Sequence, residues 1–327
     1  MKSRGLALLA TLALAGSSTA CGLDSSYALP FDDIQPGSIQ PMPELADVDV
    51  TVGSKEFTEA LILGYIAEIA LTAAGADVTD LTNIQGSNSA RYALRSGDID
   101  LYWDYTGTGW ITHLGETRPI PDEKQQFDAV RAADVNNGVE WLDYSPVNNT
   151  YAFTTTKEFS EANGIKSISD IANLVRKEPS KGTFCLETEF ISRQDGMPGV
   201  SKTYGLEVPP ANVKNFGSGA IYAAVENGTC NFGEVYTTDG RIVALDLALI
   251  EDDKKFFPQY NASITIRKEF LDAHPQFRQV LEPIGKKLDN PTMQVLNAQV
   301  DVDGKDPAVV ARDWMAKEGF IAVATGS

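Results

Sequence analysis

From Val48 onward the chain alternates between two hydrophobic periods. VDVTVG (48–53) places apolar side chains at every second position, which predicts a short strand ending at Gly53. The next stretch, SKEFTEALILGYIAEIALTAAG (54–75), repeats Ile62, Tyr65, Ile66 and Ile69 at helical spacing. Glu59 stands near its start and Gly75 at its end, as helix termini favour. VTDLTNI (78–84) predicts a second strand, SNSARYALRSG (87–97) a short helix stopped by Gly97, and DIDLYWDY (98–105) a third strand. Strands alternating with helices predict an α/β fold whose sheet is mainly parallel, with helices on both faces. Ligands of such sheets bind beyond the carboxyl ends of the strands, which is where Tyr105 falls.

The alternation resumes further on. Residues 122–141 read as helical, and SPVNNTYAFTTT (145–156) as a strand entered through a loop. Helix 168–177, strand KGTFCLE (181–187), helices 195–204 and 218–227, and strand TCNFGEVY (229–236) follow, with a helix or turn from Thr238. KKFFPQYNASITIRKEF (254–270) reads as a crossing segment and a strand. Residues 268–320 read as helices broken at Pro275, Pro283, Pro291 and Pro307. One internal echo organises this order. GDIDLYWDYT (97–106) aligns without a gap on GTCNFGEVYT (228–237), and each follows a helix containing Ala-x-Tyr-Ala (90–93 and 220–223). Two copies do not make a solenoid. They predict two lobes of related build, each presenting a tyrosine, Tyr105 or Tyr236, from the same strand end.

The first residues follow another logic. Lys2 and Arg4 precede an apolar run from Leu6 to Ala15, then GSSTA and Cys21. This order predicts a secretory signal over residues 1–20. Cys21 after Ser-Thr-Ala resembles a lipobox, with Ser18 where Leu is usual, so Cys21 is the expected lipidation site. Residues 21–46 carry four prolines and no period, and predict a flexible tether. An exported protein, lipid-anchored to the outer face of the cell membrane or periplasmic, is therefore expected. With Cys21 acylated, Cys185 and Cys230 remain, and an even pair in an oxidising compartment predicts a disulfide.

The net charge of −18 excludes nucleic acid as a partner, since phosphate binding needs clustered Lys and Arg. Only two histidines occur, His113, read as a loop residue, and His274, read as the start of a helix before Pro275. The chain carries no nucleophile elbow, CxxC, phosphate loop or dinucleotide fingerprint. Glu187 and Glu189 have the spacing of one strand face and read as a solvated rim. Binding without a cofactor or metal, rather than catalysis, is the expectation.

Seven blocks carry a resemblance: GSKEFTEALILG (53–64), GDIDLYWDYTGT (97–108), NNTYAF (148–153), EFISRQDGMPGV (189–200), VYTTDGRI (235–242), DDKKFFPQYNA (252–262) and MQVLNAQVD (293–301). In order and content they resemble the substrate-binding proteins of ABC importers for quaternary ammonium osmoprotectants, the glycine betaine/choline/carnitine (ProX- or OpuBC/OpuCC-like) family. The resemblance implies a type II periplasmic-binding fold, in which two α/β lobes joined by two crossing segments close over a ligand. It implies a trimethylammonium cage of Tyr105, Tyr151, Tyr236 and Tyr260, and carboxylate-binding roles for Lys55, Thr108 and Arg193. It also implies a membrane permease as partner, with the protein acting as a monomer. Crossings are expected near 146–152 and 256–261, giving lobe one as 47–148 plus 260–327 and lobe two as 149–259. Relatives with Gln at the Lys55 position or Asp at the Thr108 position exist, and Lys with Thr favours a ligand that bears a carboxylate. The alternative is the same fold carrying another small solute, such as an amino acid.

The chemistry suits such a ligand. A trimethylammonium has no N–H to donate, while aromatic faces offer it a negative quadrupole. Lys55 precedes a helix N-terminus and Arg193 has a planar fork, and both suit a carboxylate. Trp103 and Trp110 are expected to pack, and the glycines between them to admit close backbone approach.

Overall fold

The computed structural model describes residues 33–324. The expected signal segment, Cys21 and the first part of the expected tether lie outside the described residues. In chain order the strands are β1 (Ile34–Pro36), β2 (Asp49–Lys55), β3 (Asp77–Ile84), β4 (Leu101–Tyr105), β5 (Val139–Trp141), β6 (Tyr151–Thr156), β7 (Phe184–Leu186), β8 (Val213–Asn215), β9 (Phe232–Tyr236), β10 (Leu247–Ile250), β11 (Ala262–Arg267) and β12 (Ile321–Val323).

They build two five-stranded sheets and one small pair. The first sheet runs β3-β2-β4-β11-β5, and the second β8-β7-β9-β6-β10. In the first, β2 is parallel to β3 and β4, while β11 is antiparallel to β4 and β5. In the second, β7 is parallel to β8 and β9, while β6 is antiparallel to β9 and β10. The two sheets thus share one plan, and the echo between 97–106 and 228–237 marks its matching central strands, β4 and β9. Gly97 and Gly228 hold the same left-handed conformation, with φ of 85° and 77°, just after the preceding helices Ser87–Ser96 and Ser218–Glu226.

The expectation of mainly parallel sheets is corrected: half of each sheet's pairings are antiparallel. The cause lies in β6 and β11. Each is reached by a crossing from the other lobe, not by a helical crossover of the kind that keeps neighbouring strands parallel. The two crossings lie side by side. Asn149 N–H donates to Tyr260 C=O at 3.1 Å, Tyr260 N–H to Asn148 Oδ1 at 2.8 Å, and Asn148 Nδ2 to Gln259 Oε1 at 2.6 Å.

Helix Thr58–Ala74 is apolar around most of its circumference, so it is buried rather than amphipathic. It packs on β2 and β3 with one face and on helices Asn290–Asp301 and Pro307–Lys317 with another. This anchors its first turn, and with it Phe57 and Glu59, at the rim of the first sheet. Pro291 and Pro307 open their helices, where a missing N–H costs nothing. Pro283 does not break its helix as expected, because Gln276–Gly285 ends two residues beyond it.

The expected tether is corrected over its described part. Ile34–Pro36 pairs antiparallel with Ile321–Val323, and Ile39 and Leu45 are buried in the main core. A two-stranded edge tolerates Pro36, and apolar residues this irregularly spaced show no period in sequence. Cys185 on β7 and Cys230, just before β9, are joined by a disulfide with Cα atoms 5.7 Å apart. It staples adjacent strands of the second sheet.

Candidate functional site

The carboxyl ends of β2, β4 and β9 and the start of β6 meet between the lobes. Tyr105 ends β4, and its hydroxyl donates to Glu59 Oε1 at 2.8 Å. Glu59 stands in the first turn of helix Thr58–Ala74 and also accepts from the Thr238 hydroxyl at 2.6 Å. Burial pushes the Glu59 carboxyl above its ordinary range, although the bonds from Thr238, Tyr105 and Asn297 pull the other way.

Lys55 ends β2 and is buried. Its Nζ lies 3.1 Å from Asp104 Oδ1 and 4.6 Å from the Tyr105 ring centroid. Asp104 is fully buried and also accepts from Tyr102 Oη at 2.5 Å, from the Tyr105 backbone N–H at 2.9 Å and from His113 Nε2 at 2.9 Å. Burial alone would raise the Asp104 carboxyl; the Lys55 ammonium and the His113 and Tyr102 bonds hold it well below the ordinary range. His113 is therefore not the loop residue expected from sequence. It ends a helical turn, Gly109–His113, with its imidazole buried against Asp104. His274 caps the end of helix Lys268–Ala273 rather than opening the next one, whose N-cap is Pro275.

Tyr151 and Tyr236 are cross-strand partners where β6 begins and β9 ends, with ring centroids 5.3 Å apart. Tyr260 meets Tyr151 edge-on at 5.2 Å, and its hydroxyl donates to Asp195 Oδ2 at 2.6 Å. Gly107 makes room for that ring: a Cβ there would sit 2.6 Å from the Tyr260 ring carbons. Phe57 stacks on Tyr236 at 5.3 Å and stands 6.0 Å from Tyr105. The result is one aromatic row, Tyr105–Phe57–Tyr236–Tyr151–Tyr260, that runs across both lobes.

Arg193 follows a short helix, Thr188–Ser192, of the second lobe. Its Nε and Nη2 hold Asp195 at 2.8 and 2.5 Å, and Nη2 lies 3.5 Å from Thr108 Oγ1 in the first lobe. Burial would raise Asp195, but the Arg193 fork and the Tyr260 hydroxyl keep it below its ordinary value. Glu187 and Glu189 do not share a strand face, as expected from sequence. Glu187 caps the Thr188–Ser192 helix, and Glu189 reaches across the cleft to Ser87. Two acids two residues apart fit a strand or a helix cap equally well, and only the short β7 decides between them.

All seven residues expected at the site line one interlobe cleft, closed down to about 30 Å³ of free volume. Trp103 is buried in the core, and Trp110 donates from Nε1 to Arg118 C=O, so neither faces the cleft. A larger groove, about 350 Å³, lies between helices Asn290–Asp301 and Pro307–Lys317. It belongs to one lobe and gathers no converging aromatic or buried charged groups, so volume alone misplaces the site. Sequence reasoning missed Phe57, Glu59, Asp104, Asp195 and Glu189, although each stands in or beside a block that carried the resemblance. Among the described residues no group of three His, Cys, Asp or Glu is placed to hold a metal ion.

Residues 48–317 match the family described as the substrate binding domain of ABC-type glycine betaine transport system. The chain belongs to this family. Among its relatives, the glycine-betaine-binding protein of Pseudomonas aeruginosa is 38% identical over 277 residues, covering 83% of this chain and 88% of the relative. The glycine betaine-binding protein YehZ of Escherichia coli is 31% identical over 288 residues, covering 85% and 93%. The crystal structure of a glycine betaine/carnitine/choline ABC transporter protein superposes with a TM-score of 0.67 at 29% identity, covering 84% of this chain and 99% of that one. The family is one of solute-binding proteins, and the paired sheets with a cleft between them are its two-lobed α/β fold.

Proposed function

We propose that the protein captures glycine betaine or a related quaternary ammonium solute, such as proline betaine, carnitine or choline, and delivers it to an ABC permease for osmoprotection. Tyr105, Tyr151, Tyr236 and Tyr260 enclose the trimethylammonium, while Lys55, Thr108 and Arg193 hold the carboxylate. The protein acts outside the cytoplasm as a monomer tethered through lipidated Cys21, without a cofactor. The observation that carries this reading is the convergence of four tyrosines from both lobes beside buried Lys55 and largely buried Arg193 in one cleft.

Magnitudes show why both ends of the ligand matter. A cation–π contact contributes roughly 0.5–2 kcal/mol, so four sum to about 2–8. The same rings already pack on one another, and each aromatic pair contributes about 0.5–1.5 kcal/mol that a spreading ligand must replace. Tyr151 and Tyr236 are cross-strand neighbours in one sheet with rings 5.3 Å apart, so a cation meets them as adjoining walls rather than entering between them. Micromolar binding requires about 8 kcal/mol. The cage alone falls short after this exchange, and the carboxylate anchors supply the remainder. Calorimetry with glycine betaine, proline betaine, carnitine and choline tests the reading directly. Silence toward all four at millimolar ligand refutes it.

A second reading keeps the fold and changes the cargo to an amino acid, which Lys55 and Arg193 would anchor equally well. Competition by tetramethylammonium separates the two, because only an ammonium cage responds to it.

A further inference from the structure

Glu59 is buried where the two lobes meet, and side chains from both close on its carboxyl group. Tyr105, at the end of β4, donates to Oε1 at 2.8 Å. Asn297 of helix Asn290–Asp301 donates from Nδ2 to Oε2 at 3.2 Å. The Thr238 hydroxyl lies 2.6 Å from Oε2, and Asn149 Oδ1 lies 2.8 Å from that same hydroxyl.

The cluster is one hydrogen short. A hydroxyl has a single hydrogen to donate. Given to Glu59, it leaves Asn149 Oδ1 with no other donor among the described residues. Given to Asn149, it leaves Thr238 Oγ1 and Glu59 Oε2 facing each other at 2.6 Å with no hydrogen between them. A proton on Oε2 satisfies every group at once. Glu59 then donates to Thr238, Thr238 donates to Asn149, and Oε1 still accepts from Tyr105.

The surrounding charge favours the same state. Asp104 contacts the Lys55 ammonium, and Asp195 and Glu189 contact the Arg193 guanidinium. Glu59 makes no ion pair among the described residues. Around it stand Tyr105 with the Lys55–Asp104 pair behind it, Glu56 just before its own helix, and Asp301 on helix Asn290–Asp301. Tyr236, Asp239 and Arg241 face it from the second lobe. Arg241 is committed to Asp239 and Asp301. With no cation to offset it, burial pushes the Glu59 carboxyl up.

We propose that Glu59 is a positioning residue that works as a neutral acid: closing of the lobes buries it with a proton, and in that form it fixes the Tyr105 ring in the cage and ties it to Thr238 of the facing lobe. This rests on the tyrosine-cage reading above. Thr238 and Asn149 belong to the second lobe, so the proton has its full set of partners only while the lobes touch. Parted, Glu59 meets water and ionises as an ordinary carboxyl. Binding then takes up a proton, although a quaternary ammonium has none to exchange. Affinity is highest below the ordinary carboxyl range and falls as pH rises toward the raised value, tenfold per unit for one whole proton.

Calorimetry with glycine betaine, run in buffers of different ionisation enthalpy between about pH 5 and pH 7, counts the protons. Glu234, pushed by burial to about 8, can add to that count, so the reading is the difference between the unaltered chain and Glu59→Gln. Gln keeps an acceptor for Tyr105 and a donor for Thr238, and it does not titrate. The unaltered chain is expected to take up about one proton more than Glu59→Gln at the maximum, and its dissociation constant to climb about tenfold per pH unit relative to that variant. Glu59→Leu offers Tyr105 no partner and should bind about tenfold more weakly than Glu59→Gln at about pH 5. A purely structural role would lower the melting temperature of Glu59→Leu and leave the proton count of Glu59→Gln equal to that of the unaltered chain. Equal counts, or a ratio of affinities that stays constant with pH, overturn the proposal and spare the cage. Failure of glycine betaine itself to bind overturns the cage reading and this role with it.

Discussion

Glu189 of the second lobe accepts from both the backbone N–H and the hydroxyl of Ser87 in the first, at 2.6 and 2.9 Å. Ser87 opens helix Ser87–Ser96, so the carboxylate sits on the positive end of a helix dipole. Burial would raise Glu189, yet Arg193 and Ser87 hold it below its ordinary value. This is a charge-assisted bond that exists only while the lobes touch.

Glu189→Gln should therefore weaken ligand binding by about tenfold, in line with about 1–2 kcal/mol for a hydrogen bond that loses its charge. The loss should appear in the dissociation rate, measured by stopped-flow fluorescence, because the contact holds the lobes together after entry. A slower association at an unchanged dissociation rate would contradict the assignment.

Among the cage residues, Tyr236→Ala removes one wall and the partner of Phe57. It should lower glycine betaine affinity by about tenfold or more, up to the roughly 2 kcal/mol of a desolvated cation–π contact. Tyr236→Phe should stay within about threefold, since the ring face and not the hydroxyl meets the cation. Equal losses in both variants would shift the role to the hydroxyl. Calorimetry reads both.

Glu68 predicts a dependence of stability on pH. It is fully buried on helix Thr58–Ala74, and neither carboxyl oxygen has a hydrogen-bond partner among the described residues. Burial, with the nearby Asp80 carboxylate, pushes it from 4.5 to about 10. The folded chain therefore holds a proton that the unfolded chain releases above about pH 4.5. Stability tied to Glu68 is complete below that pH and is lost progressively as pH rises toward 10. Glu68→Gln should raise the melting temperature at pH 8 and change it little at pH 4. A uniform shift across pH would refute the titration.

The bond between Cys185 and Cys230 closes a loop with a sequence separation of 45 and links neighbouring strands. The double replacement by Ala should cost about 3–4 kcal/mol of unfolding free energy. Denaturant titration measures it, and alkylation with and without reductant shows whether the thiols are free in exported protein.

The strand-and-helix order of each lobe was legible because buried helices and central strands obey strong periods. Helix Ile168–Lys177 was read to the residue. The internal echo located β4 and β9, matching strands whose ends present Tyr105 and Tyr236. Short edge strands escaped. β8, β10 and β12 span three or four residues, too few for a period to emerge. The antiparallel halves escaped as well, because chain direction at a crossing is a tertiary property. The seven proposed ligand residues came from motif resemblance, not from periodicity. Their carboxylate partners, Glu59, Asp104 and Asp195, read locally as ordinary surface acids. Only the meeting of distant strand ends shows that they are buried and paired.

The bonded crossings have a mechanical consequence. Two strips of chain laid together, Asn148 against Gln259 and Asn149 against Tyr260, make a doubled hinge that bends readily and resists twisting. If the lobes part about these crossings, Tyr151 and Tyr260, next to them, travel least, and the Ser87–Glu189 contact has to break. Tyr236 stays beside Tyr151 on one sheet and Tyr105 beside the strand that follows Tyr260 on the other, so an opening hinge would part the proposed cage into two facing pairs.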